Sequence, residues 1–204
     1  MPLADRSALA GADYVLLRHG ETTYNVERRV NGDPSLPVGL TARGREQAMA
    51  LAPAAAAVAW GSAWHTRFPR TAATLALVLP EGVPIPRVIQ ELDDIDVGEL
   101  EGHTIEEWRA WRRGRGIEQG PPGGESRVEV LERYARGFEL LVREAVLPAM
   151  VVCHDQAIRY LENVLIDQDP LFGSVQAIPN ATPYAYRRFD LSLAAERLVE
   201  RATQ

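Results

Sequence analysis

Apolar positions in this chain follow two patterns. Short unbroken runs at 13–18 (DYVLLR), 58–64 (VAWGSAW) and 148–153 (PAMVVC) lack helical spacing, which predicts buried strands. VPIPRVI (83–89) predicts a further short strand, and the alternation in TPYAYRRFD (182–190) predicts an edge strand. Helical spacing fills the intervals. Thr41 is placed to cap a helix over 42–57, and others are expected over 70–79, 104–115, 126–146 and 155–166. Residues 22–40, the acidic stretch 91–102 and the turn-rich 116–126 read as loops.

Strands alternating with helices imply an α/β fold with a parallel sheet covered on both faces. Ligands of such folds bind outside the carboxyl ends of the strands. Three of the four histidines, His19, His65 and His154, stand at or beside predicted strand ends, which makes a constellation rather than scatter.

With 204 residues, 46% hydrophobic and 25% charged, the chain is expected to be one soluble domain over 1–204, with 1–12 as a loose leader. The formal charge of −6 argues against a nucleic-acid partner. No apolar run approaches a membrane span, and the single Cys153 allows no internal disulfide. A cytoplasmic location is the expectation. All 22 basic residues are Arg, the residue whose planar fork grips phosphate through two oxygens.

The run LLRHGETTYN (16–25) ends a strand in a permanent cation and an imidazole. If the ligand is a phosphate, its charge must be met by Arg, His and backbone N–H groups. Arg18 ends a predicted strand, Asn25, Arg67 and His154 fall after predicted strands, and Gly20 permits close backbone approach. No two His lie at ligand spacing and Cys153 has no partner, so neither metal nor cofactor is expected.

These residues carry a resemblance. RHGET with Asn25, Ser62 with Arg67 and Thr71-Ala72, Asp94 with Gly98 and Glu101-Gly102, and the strand ending in His154 occur in this order. Together with Pro-Gly-Gly-Glu-Ser at 122–126 they resemble the histidine phosphatase superfamily, which includes the cofactor-dependent phosphoglycerate mutases. The resemblance implies a three-layer α/β/α sandwich around a mainly parallel sheet. It also implies phosphoryl transfer through a phosphohistidine, on a small phosphorylated substrate, in a family that often forms homodimers.

In that family's terms His19 is the nucleophile, and Arg18, Arg67 and His154 grip the phosphoryl oxygens. Asp94 protonates the leaving oxygen and then activates water, while Asn25, Asn31 and Gly32 line the substrate side. Asp94 stands where most of the branch has Glu, and Asp93 and Asp96 are rivals within reach. Asp155-Gln156 replace the usual small residues after His154, and Trp64-His65 replace the usual Pro-Leu before the arginine.

His65 is read as a wall or packing residue and His103 as a surface one, with Trp108 and Trp111 packing in the core or a lid. Arg112, Arg113 and Arg115 are either a solvated helix end or a reach toward an anionic part of the substrate. The expected activity is metal-independent phosphomonoester hydrolysis. Mutase chemistry or a non-catalytic phosphate binder of the same fold are the alternatives.

Overall fold

The computed structural model describes residues 9 and 11–204. In chain order the chain forms β1 (Tyr14–Arg18), α1 (Thr23–Glu27), α2 (Ala42–Met49), α3 (Ala52–Ala55), β2 (Ser62–His65) and α4 (Pro69–Val78). β3 (Arg87–Val88), α5 (Ile105–Arg112), α6 (Arg127–Glu144), β4 (Ala149–Cys153), α7 (Asp155–Leu165), β5 (Pro183–Tyr186) and α8 (Arg188–Ala202) follow.

The strands form one sheet in the order β3-β2-β4-β1-β5. The first four are mutually parallel and β5 runs antiparallel along β1 at one edge. Strand period two sends alternate residues to opposite faces. Tyr14 and Leu16 of β1 join a core with α6, α7 and α8, while Val15 and Leu17 join a second with α2, α3 and α4. This is the expected three-layer arrangement.

Several boundaries differ from expectation. The helix predicted over 42–57 is two helices, because Pro53 lacks an N–H and cannot continue α2. The loop predicted over 22–40 opens with α1, started by a capping box between Thr22 and Asn25. α8 was not expected at all. Its buried Leu191, Ala194, Ala195 and Leu198 have helical spacing, hidden behind the strand-like TPYAYRRFD. Of the leader, residues 1–8 and 10 lie outside the described residues, and Leu9 is buried in the second core.

Because β4 lies between β1 and β2, the chain leaves three neighbouring strands at one end of the sheet. His19, Thr66 and His154 are the first residues beyond those strands.

Candidate active site

His19 is buried, and its Nδ1 lies 2.8 Å from the carbonyl of Gly20. A carbonyl only accepts, so Nδ1 carries the proton and Nε2 keeps its lone pair. Burial, then Arg70 and Arg18, hold the imidazole well below the usual histidine pKa, so it is neutral at physiological pH. Gly20 is required at this turn: a Cβ there would meet the Gly44 carbonyl at 2.4 Å. Its N–H donates to Thr74 Oγ1 at 3.0 Å, tying the turn to α4.

The cation beside the nucleophile is Arg70. It is buried in the first turn of α4 and stacks on Phe68 with 4.1 Å to the ring centroid. Its Nε donates to His19 Nε2 at 3.1 Å. Its Nη2 donates to Asp94 Oδ2 at 3.0 Å and to His154 Nδ1 at 3.2 Å, and Nη1 donates to Asn31 Oδ1. One guanidinium therefore touches the nucleophile, the acid and the second histidine.

Arg67, expected in this role, is elsewhere. Its backbone N and its Nε both donate to Asp93, at 2.9 and 2.5 Å, and its side chain is half exposed outside the pocket. Asp93 is buried, so it recruits the nearer cation and leaves Arg70 to face His19. Both arginines lie close before Thr71-Ala72, Arg67 ahead of α4 and Arg70 in its first turn, and their spacing alone does not choose between them.

The same contacts separate the three acids. Asp93 is spent on Arg67, and Asp96 accepts from Gly98 N at 2.8 Å in an exposed loop. Asp94 alone lines the pocket, a quarter exposed to it. Burial raises its pKa, Arg70 opposes that shift, and Asp155 adds to it. Arg133, which the sequence reading missed, holds this loop in place. It pairs with Glu125 at 2.6 Å and donates to the carbonyls of Glu91, Asp93 and Asp94.

Arg18 lines the pocket, donating to the Ile178 carbonyl and standing 3.8 Å from Asp155. Its Nε is buried without a hydrogen-bond partner among the described residues. Asn25 also lines the pocket; its Oδ1 accepts from Thr22 N and Asn180 Nδ2, leaving the amide nitrogen as its free donor among the described residues. Asn31 lines it too, held by Arg70 and by Glu101 at 3.0 Å. Gly32 does not: its N–H donates to Glu101 at 2.6 Å, and a Cβ would strike the Ile95 carbonyl at 2.2 Å. Its role is close packing rather than substrate contact.

The pocket has a volume of about 300 Å³. Beyond the phosphoryl seat its wall carries Arg109, Arg112, Trp108, Arg159 and Gln156. Arg112 thus reaches the pocket, whereas Arg115 lies over Trp111, 4.5 Å from the ring centroid. Trp108 and Trp111 stack with parallel rings 5.7 Å apart. His65 does not line the pocket; its Nδ1 lies 2.7 Å from the Thr66 carbonyl.

The sequence pattern of the histidine phosphatase superfamily (branch 1) matches residues 14–194. The chain belongs to that family. It is 32% identical over 164 residues, 71% of each chain, to a 2,3-bisphosphoglycerate-dependent phosphoglycerate mutase of Gloeobacter violaceus. Among solved structures it resembles a mycobacterial glucosyl-3-phosphoglycerate phosphatase, with 29% identity and a TM-score of 0.63 over 82% of this chain and 86% of that one. The alpha-ribazole phosphatase of Shigella flexneri superposes with a TM-score of 0.69 and 25% identity, over 82% and 86% of the two chains.

Proposed function

We propose that this histidine phosphatase hydrolyses small phosphomonoesters by carrying the phosphoryl group on Nε2 of His19. The observation that supports this best is the tautomer of His19. The Gly20 carbonyl holds the Nδ1 proton, so the lone pair of the neutral ring is at Nε2, beside Arg70 and Asp94. Arg18, Arg70 and the Asn25 amide supply donors for the phosphoryl oxygens, strongest as charge builds on them. Burial raises the Asp94 pKa and so favours the protonated form, which gives its proton to the departing alcohol. The resulting carboxylate then takes a proton from the water that releases phosphate.

The wall beyond this seat adds a preference. Arg109 and Arg112 have no carboxylate partner among the described residues, yet line the pocket together with Arg159. Unpaired like charges gathered in a cavity favour a leaving alcohol with a negative charge of its own. The buried, unpaired Cys153 suits the cytoplasm.

Phosphate release from p-nitrophenyl phosphate, without added metal, tests hydrolysis. No turnover combined with tight phosphate binding would instead mark a non-catalytic binder. The mutase relative supports a second reading, in which the same residues pass the phosphoryl group back to a substrate alcohol. That reading requires a bisphosphate primer and label that stays on the protein.

A further inference from the structure

The hydroxyls of Thr66 and Thr71 have no part in the reaction described above. Thr66 is the residue after β2 and Thr71 lies in α4; both are fully buried. Thr66 Oγ1 stands 2.8 Å from His154 Nε2 and 2.9 Å from Thr71 Oγ1. Thr71 Oγ1 donates in turn to the Phe68 carbonyl at 2.8 Å, with the Thr66 carbonyl at 3.1 Å as its alternative.

The proton positions along this chain follow from what each group can do. Arginine only donates, and Arg70 Nη2 shares its two protons among Asp94 Oδ2, the Asn31 carbonyl and His154 Nδ1 at 3.2 Å, which favours an Nδ1 that accepts and carries no proton. The His154 proton is then on Nε2 and goes to Thr66 Oγ1. The Thr66 proton goes to Thr71 Oγ1, and the Thr71 proton to a carbonyl. Each contact has one proton and each proton one acceptor. The opposite tautomer would set an N–H against the Arg70 guanidinium and, with Thr66 donating to Nε2, turn the Thr71 proton to Thr66 and away from the Phe68 carbonyl.

We propose that Thr66 is a positioning residue that locks His154 with its Nδ1 lone pair toward the phosphoryl seat, so that His154 engages the phosphoryl group by accepting a proton from it. A histidine in this tautomer has no N–H to offer a dianion. It can take the hydroxyl of the monoanion, P–O–H to Nδ1, in place of the Arg70 contact. The O–H bond breaks as the N–H bond forms, leaving a dianionic phosphoryl group against an imidazolium whose Nε2–H stays on Thr66. No oxidant or further reactant is involved.

The surroundings agree with a ring that is neutral until it receives that proton. His19 and Arg18 face His154 from the end of β1, Arg70 from α4 and Arg133 from α6. Asp94 Oδ2 approaches Nδ1 at 3.5 Å. Burial first, then these cations, hold His154 well below the usual histidine pKa.

The inference rests on the phosphatase reading, but its first test does not depend on turnover. In ¹⁵N-labelled protein without phosphate, His154 should show a protonated Nε2 and an unprotonated Nδ1, and Thr66→Ser should preserve that pattern. A proton on Nδ1 in the parent overturns the proposal whatever the enzyme does. The second test is calorimetric titration with inorganic phosphate at about pH 8, where the dianion dominates, in buffers of different ionisation enthalpy. The parent, Thr66→Ser and Asp94→Asn should each take up about one proton per phosphate bound. Thr66→Val, which frees the other tautomer to donate to the dianion, should take up less than half as much. Uptake of none by the parent, or its loss in Asp94→Asn, overturns the proposal. Failure to bind phosphate at all overturns the phosphatase reading as well, which separates the two.

Discussion

Arg70 Nε lies 3.1 Å from His19 Nε2, so a buried guanidinium rests on the lone pair assigned to attack phosphorus. Neutral Nε2 accepts this bond only while the ring is unprotonated there. The contact therefore keeps the imidazole in its reactive form, and an incoming phosphoryl oxygen replaces the nitrogen as acceptor.

The two arginines of this turn should separate cleanly by mutation. Arg70→Lys replaces a fork that reaches His19, Asn31, Asp94 and His154 with a point charge. A loss in kcat/KM of about a hundredfold to a thousandfold is expected, the range for removing one transition-state donor. Arg67→Gln should change kcat/KM within about fivefold, because it removes a half-exposed pair outside the pocket. It should instead lower stability by about 1–3 kcal/mol, since buried Asp93 loses a partner. The opposite ranking in steady-state kinetics would return Arg67 to the site.

The acid limb of activity follows from the direction of the His19 shift. The folded pKa is below the ordinary value of 6.5, so the nucleophile is neutral at neutral pH and is lost only as pH falls through the lowered value. NMR titration of His19 should show no protonation near pH 6.5. Arg70→Gln removes one of the two cations that depress this value, and should raise the midpoint toward 6.5 without reaching it, because burial and Arg18 remain. An unchanged midpoint would mean that Arg70 does not face the imidazole.

Asp94→Asn keeps the size of the side chain but can neither give a proton nor take one from water. An alkyl alkoxide needs that proton and p-nitrophenolate does not. In single-turnover experiments phosphoenzyme formation should fall about a hundredfold or more with an alkyl phosphate and far less with p-nitrophenyl phosphate. Asp93→Asn and Asp96→Asn should show no dependence on the leaving group, since neither carboxylate lines the pocket. An equal loss on both substrates in Asp94→Asn would leave Asp94 only a positioning role.

The strands of the sheet and the two histidines were legible in the sequence because each depends on a local pattern. β1 and β4 are apolar runs buried on both faces, and His19 and His154 directly follow them. The second clamp was not legible. Arg67 lies just before α4 and Arg70 in its first turn, three residues apart, and what sorts them is Asp93, distant in sequence and brought near only by the fold. α8 was missed because Pro183–Tyr186 alternates as a strand should, and the helix begins within two residues of its end. The place of Gly32 was misread for a related reason: a glycine between substrate-side residues and a glycine packed on the Ile95 carbonyl look the same in sequence.

The central claim, that Nε2 of His19 carries the phosphoryl group, is tested most directly by acid-quenching the enzyme during turnover of a ³²P-labelled phosphomonoester. The parent should yield protein-bound label that is labile to acid and stable to base, mapping to the peptide that contains His19. His19→Ala, folded as judged by circular dichroism, should yield none and should not turn over. Label elsewhere, or turnover by His19→Ala near that of the parent, would contradict the account.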